Sequence, residues 1–363
     1  MSKIPELSLF FFSADATERQ NNKYEMLLET AKFADAHGFT SVWTPERHFQ
    51  RFGGLYGSPS VTGAALAVTT KRISIRAGSV VLPLQNPLRV AEEWAMIDNL
   101  SNGRVAISFA PGWHVNDFVL SPDTYQHRHD DMYEKIAIIQ KLWRGEKLVL
   151  PNGAGTEIEV GILPLPIQKK LPIWVTGKSD DMFFTAGKLG FNVLTANFAL
   201  KNDLNEFVRR SQIYRESIEM HHGRRGHITM MLHTFVAESA EAIERLAKPA
   251  LAEYINVNIG MQQDHDAGGK EERGFTHLND REREILIRTQ VNKDIRGQLS
   301  FIGTLEHCAR QAERLKENGV DEIACLIDFG IDLDEIMSSL GRMSLLLETD
   351  QVVATPAAAE YHG

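Results

Sequence analysis

Three short clusters in this chain hold side chains able to move protons or grip an anion: Glu46-Arg47-His48, Trp113-His114 and Gly177-Lys178-Ser179. His48 and His114 exchange protons near neutral pH, which suits general acid–base work. Arg47 keeps its proton and cannot act as a base. Its planar fork suits a carboxylate, a thioester carbonyl or a developing peroxide anion. The plainer alternative is a structural polar network of Glu46, Arg47 and His48 at a strand end. Gly177-Lys178-Ser179 stands where a strand-like run gives way to a helical one. Free N–H groups and the helix dipole favour an anion such as phosphate there, and Lys178 and the Ser179 hydroxyl add donors. Serine at a helix start is also a common N-cap. Asp180 and Asp181 follow at once, and acids in a first turn more often satisfy the dipole and point outward.

Other patterns exclude more than they promise. His127-Arg128-His129-Asp130-Asp131 has the residue types of a metal site, yet it opens a helix, where solvated caps are the commoner use. His221-His222-Gly223-Arg224-Arg225 reads as a helix C-terminus with cations complementing the dipole. Cys308 and Cys325 are the two cysteines, too few for a disulfide framework or a cysteine zinc site, and read as small core residues. No Gly-x-Gly-x-x-Gly, Walker or Gly-x-Ser-x-Gly motif occurs. A net charge of −9 argues against a nucleic-acid partner. No window holds the roughly 18 apolar residues of a membrane helix. The apolar run from Leu7 to Phe12, broken by Ser8, is too short for a secretory signal, so a cytoplasmic location is expected.

The elements that must position these clusters alternate between strand and helix patterns. Strands are expected at Leu7–Phe12, Thr40–Thr44, Ile73–Leu82, Arg104–Ala110, Pro172–Val175, Phe191–Leu194, Ile228–Val236 and Glu322–Ile327. Helical spacing fills the gaps, for instance Met132, Ile136, Ile139 and Trp143, and Leu148–Leu163 reads as a hairpin excursion turning at Asn152-Gly153. Such alternation implies parallel pairing through crossovers. At 363 residues, eight units favour an α/β fold of the (β/α)8 barrel type over an open sheet. Residues 258–298 are polar and fit neither pattern, so they are expected to be an insertion before the last unit, either a lid or a disordered loop. One barrel is expected over 1–348, with a flexible C-terminal tail over 349–363.

A barrel works at the C-terminal ends of its strands, and there the sequence resembles the bacterial luciferase-like, FMN-dependent monooxygenases. The matching stretches are Gly38-Phe39-Thr40-Ser41-Val42-Trp43 with Glu46-Arg47-His48-Phe49, then Ala77-Gly78-Ser79-Val80-Val81-Leu82-Pro83 with Asn86-Pro87, and Leu100-Ser101-Asn102-Gly103-Arg104. The match continues more loosely to Gly190 and returns in the final helix–strand unit. Within the family, the chain is similar to the subgroup found beside polyketide and nonribosomal peptide assembly genes. The resemblance implies a non-proline cis peptide at Gly78-Ser79 under the flavin ring; by itself Gly78 would pass for an ordinary strand glycine. Gly78, Ser79, Ala110, Gly177, Lys178 and Ser179 become the expected cofactor-binding residues, and His48, Arg47 and His114 the expected catalytic ones. Trp113 joins His114 on the substrate side. Luciferases carry Glu-His-His-Phe, with the first histidine implicated in catalysis; here that position is Arg47, so their mechanism does not transfer directly.

The resemblance further implies that reduced FMN and dioxygen oxygenate a small organic substrate through a flavin hydroperoxide, which a dry, closed mouth protects from water. The substrate would be a biosynthetic intermediate, either free or tethered to an acyl or peptidyl carrier protein. A separate NAD(P)H-dependent flavin reductase would supply electrons, and the chain would pair as a homodimer through helices beside the first strands. Two alternatives stay open: a deazaflavin-dependent oxidoreductase on the same barrel, and a non-catalytic flavin-binding protein.

Overall fold

Eight short apolar runs lie side by side and close on themselves. In chain order the strands are β1 (Glu6–Phe10), β2 (Ser41–Thr44), β3 (Ser74–Val81), β4 (Val105–Ala110), β5 (Leu148–Pro151), β6 (Glu157–Val160), β7 (Ile173–Thr176), β8 (Asn192–Ala196), β9 (Ile228–Ala237), β10 (Phe301–Thr304) and β11 (Glu322–Leu326). Parallel pairing runs β1-β2-β3-β4-β7-β8-β9-β11 and returns to β1, a closed eight-stranded barrel built from the eight strands expected. β5 and β6 form the expected antiparallel hairpin, its turn held by Asn152 Oδ1, which accepts the N–H groups of Ala154 and Thr156. The computed structural model describes residues 2–12, 22–196, 203–268, 278–297 and 299–354.

The helices are α1 (Glu25–Ala36), α2 (Pro59–Thr69), α3 (Pro87–Ser101), α4 (Arg128–Trp143), α5 (Asp180–Leu189), α6 (Leu204–His222), α7 (Ala240–Ala242), α8 (Lys248–Gly268), α9 (Asp280–Arg296), α10 (Leu305–Glu317) and α11 (Leu333–Ala354). Local chemistry sets their ends. Proline opens α2 and α3, where its missing N–H costs nothing. Asp203 caps α6 by accepting from Asn205 and Glu206, and Gly223 ends that helix at φ 61°, as the His221–Arg225 pattern predicts.

Two stretches depart from the sequence expectation. Within 258–298 the described stretches are largely helical: α8 runs on to Gly268, and α9 starts at a capping box in which Asn279 and Glu282 satisfy each other's backbone N–H groups. The polar faces of both helices hid their periodicity, because so little of α9 is buried, chiefly Val291 and Asp294. Residues 269–277 and 298 lie outside the described set. β9 is also longer than a barrel strand needs. It pairs with β11 up to His233, then from Thr234 to Ala237 pairs with β10, a four-residue strand too short to stand out from the sequence. α11 carries helix to Ala354, into the segment expected as a tail, and 355–363 lie outside the described residues.

The lower half of the barrel is plugged. Glu322 is fully buried at the start of β11 and accepts from Arg76 at 2.7 Å, Ser41 at 2.9 Å, Trp43 and Thr229 at 3.1 Å, with His227 Nε2 3.0 Å away. The Arg76 guanidinium lies over the rings of Trp43 and Trp174, at 4.9 and 4.6 Å. A buried charge so fully paired is tolerable, and the plug leaves the opposite end, at the strand C-termini, as the working face. Glu6, His227 and Glu322 are the group among the described residues close enough to share a metal ion. Arg76 already neutralises its buried carboxylate.

Candidate active site

The floor of the mouth is built by β3, β4 and β7. The Gly78–Ser79 peptide is cis, at the place the sequence motif indicated. A side chain on Gly78 would put its Cβ 2.7 Å from Phe10 Cε2 and 3.0 Å from Trp43 Cε3, so the backbone lies flat against two aromatic rings. The Ser79 hydroxyl shares a hydrogen bond with that of Thr176, which pairs with Ser108 at 2.7 Å. Ala110 ends β4 opposite Val81, just above this hydroxyl chain. Glu46 holds the neighbouring strand end in place: Oε2 accepts from the Val81 N–H at 2.7 Å, and Oε1 from Gln85.

The anchoring junction lies on the same rim. Gly177 follows Thr176 directly, and Ser179 is the N-cap of α5, accepting from the Met182 N–H at 3.2 Å. Lys178 and Ser179 are exposed there. Asp180 does not face an incoming anion; it is gripped by Arg209 at 2.6 and 2.9 Å and by Arg210 at 3.1 Å from α6. With Met182 capped by Ser179, the N–H groups of Asp180 and Asp181 at the head of α5 are left for an anion. Flat backbone at Gly78, hydroxyls at Ser79 and Thr176, and a helix N-terminus on the adjoining strand fit a planar ring with a phosphate tail.

The opposite wall is polar and roofed by α8. Arg47 is buried, with Nη2 2.9 Å from the Met261 sulfur, Nη1 3.7 Å from Asp117 Oδ2, and its guanidinium 5.3 Å from the Trp113 ring. Arg47 Nε and Asp117 Oδ1 have no hydrogen-bond partner. Burial pulls the Arg47 pKa down, partly offset by Asp117, and pushes Asp117 up against the pull of Arg47. His48 is half-buried, its Nε2 3.0 Å from Glu46 Oε1, while Arg47 turns to Met261 and Asp117 instead of joining that pair. Phe49 turns outward at φ 58° and walls an open groove with Val119 and Tyr125.

His114 lies deep in the same wall. It is fully buried; its ring lies 2.7 Å from Gln50 Nε2 and 3.4 Å from the Met261 carbonyl. Its contacts link the loop after β4 to Gln50 and to α8.

His233, Tyr254 and Asp294 were not foreseen. Strand parity brings His233 inward with Thr229, but its element had to be followed to its very end, and Tyr254 and Asp294 belong to α8 and α9. The His233 ring meets the Tyr254 ring at 4.7 Å and the Phe329 ring at 5.6 Å. Both ring nitrogens lack a hydrogen bond, with Asp294 Oδ2 3.7 Å from Nδ1. Burial lowers the His233 pKa to about 3.

The sequence model of the luciferase-like monooxygenases matches residues 6–322. This chain belongs to that family. As a luciferase-like monooxygenase it is 26% identical, over 93% of its length and 92% of the relative's, to the oxygenase component of the flavin-dependent trigonelline monooxygenase of Acinetobacter baylyi. Its fold is that of monooxygenase RslO1 from Streptomyces bottropensis, with a TM-score of 0.74 at 20% identity, covering 95% of this chain and 99% of that one. The FMN-bound oxygenating constituent of 3,6-diketocamphane monooxygenase from Pseudomonas putida gives 0.67 at 18% identity, over 95% and 98% of the two chains. An F420-dependent secondary alcohol dehydrogenase shares the fold too, at 0.64 and 17% identity over 93% and 97%, so the barrel alone does not choose between flavin and deazaflavin.

Proposed function

We propose that this luciferase-like monooxygenase is the oxygenase of a two-component system, using reduced FMN and dioxygen to oxygenate a small organic substrate. The observation that carries the reading is the continuity of the floor: Gly78, Ser79 and Thr176 lead without interruption to the capped N-terminus of α5. The ring would lie on Gly78-Ser79 beside Ala110, and the phosphate would meet Gly177, Lys178 and Ser179. Reduced FMN supplies the electrons that activate oxygen. The chain's own residues orient the ring, hold its phosphate and exclude water. Arg47 supplies positive charge on the substrate side, and His48, held by Glu46, is the proton-exchanging group nearest the strand end.

With no dinucleotide motif in the chain, a separate NAD(P)H-dependent flavin reductase would reduce the FMN. A homodimer is supported by α2 and α3, which leave Val61, Val68, Met96 and Leu100 exposed. The substrate is expected to be a natural-product intermediate, free or carrier-bound; the cytoplasm is its expected setting. Among the described residues, no helix is long and apolar enough to cross a membrane. The test is to supply enzymatically reduced FMN, labelled dioxygen and candidate substrates. Label in an organic product supports the reading; hydrogen peroxide alone across the panel, or tight binding of a deazaflavin with no affinity for FMN, overturns it.

A further inference from the structure

Arg47 is a buried cation whose hydrogen-bonding capacity is nearly unspent. Of its three nitrogens, Nε has no partner, Nη1 stands 3.7 Å from Asp117, beyond hydrogen-bonding distance, and Nη2 meets a thioether, a weak acceptor. Removing a guanidinium from water is expensive unless a hydrogen-bonded counter-charge replaces the lost hydration. The obvious counter-charge is poorly placed to serve.

The other acids around the mouth are committed elsewhere. Glu46 holds Val81, Gln85 and His48; Asp328 takes the Phe12 N–H at 2.9 and 3.0 Å; Asp294 accepts from Gln290 at 2.9 Å. Asp117 is the one facing Arg47, and burial raises its pKa against the pull of Arg47 and His48. A second, independent sign of a missing partner is His233, which packs on Tyr254 and is a buried imidazole without a hydrogen bond on either nitrogen. Trp113 beneath the guanidinium supplies apolar surface for the rest of a ligand, and Tyr254 is near enough for the Arg47 charge to act on it.

We propose that the substrate is an organic carboxylate and that Arg47 binds its acid group through two parallel N–H···O bonds, with the apolar part of the molecule between Trp113 and Tyr254. The proposal rests on the reading of this mouth as the oxygenase's substrate pocket. It gives the arginine that replaces the luciferase histidine a task of its own: recognition of charge, not proton transfer. A guanidinium matches a carboxylate fork to fork, and a neutral amide of the same shape forfeits the charge-assisted part of that contact.

The experiment is calorimetric titration of the full chain, with and without FMN, using benzoate, phenylacetate and octanoate as probes, each against its own primary amide. At least one acid should bind about tenfold or more tightly than its amide. Arg47→Gln should erase that preference while FMN affinity and the circular dichroism spectrum stay as in the wild type. Should Arg47→Gln fail to fold, Arg47→Lys, which keeps the charge and loses the fork, should cut the preference severalfold. Amides binding as well as acids in all three pairs, a preference surviving in a folded Arg47→Gln, or a preference of wild-type size in Arg47→Lys where that is the variant that folds, overturns the proposal. Failure of the oxygenase reading is seen separately, as absence of FMN binding, and the titrations without FMN still judge the carboxylate site.

Discussion

Glu46 Oε2 accepts the Val81 backbone N–H at 2.7 Å, tying the end of β2 to the end of β3 within the wall that carries Ser79. Glu46→Ala would strand that buried N–H and release Gln85 and His48. The expected loss is about 1–3 kcal/mol of stability, read from urea unfolding. FMN affinity should fall with it, because the Ser79 region loses its brace. An unchanged unfolding midpoint would show that the contact is idle.

Gly78→Ala tests the flat floor. Its new Cβ would press on Phe10 and Trp43 at 2.7 and 3.0 Å. Overpacking of this kind costs about 1–3 kcal/mol. Combining it with Phe10→Leu, which frees space at the closest contact, should recover part of the loss. Additive losses in the double variant would mean that the clash is not the cause.

Lys178 and Ser179 should act on the phosphate alone. Lys178→Ala is expected to weaken FMN binding about fivefold to tenfold at low salt and to leave riboflavin binding unchanged, since riboflavin lacks the phosphate. Fluorescence titration with both compounds decides it; equal effects on the two would place the anchor elsewhere.

Acid should destabilise the chain in two stages. His233 has a folded pKa of about 3 against an ordinary value of 6.5, so its unfolded form takes up a proton first. Its contribution is whole above pH 6.5 and drains away as the pH falls toward about 3. His233→Gln should flatten the decline of the unfolding midpoint between pH 6.5 and about 4. Below its ordinary value of 4.5 Glu322 adds a second loss: burial alone would raise it, but Arg76 and His227 outweigh burial and hold it well below that value. A wild-type and His233→Gln pair with parallel pH curves would rule out the first stage.

The α2–α3 face should govern assembly. Val61 and Val68 are 69% and 72% exposed on α2, and Met96 and Leu100 are exposed on α3. Apolar residues grouped on a surface commonly mark an interface. Val61→Lys with Val68→Glu should shift sedimentation from dimer to monomer. A wild-type monomer at micromolar concentration would end the dimer expectation.

Much of this molecule was legible before any coordinates, because the signals are local. Strand runs such as Ile73–Leu82, proline at α2 and α3, Ser179 at the head of α5 and the hairpin turn at Asn152-Gly153 depend on a residue and its near neighbours, whose propensities and turn chemistry act within a few positions. What the closed barrel decided is which distant side chains meet. Arg47 lies under Met261, His233 beside Asp294, His114 between Gln50 and α8, and Glu322 on Arg76. No spacing encodes those encounters. They follow from parity, register and the lie of α8 and α9 across the mouth, where burial changes what each charge costs and so what it can do.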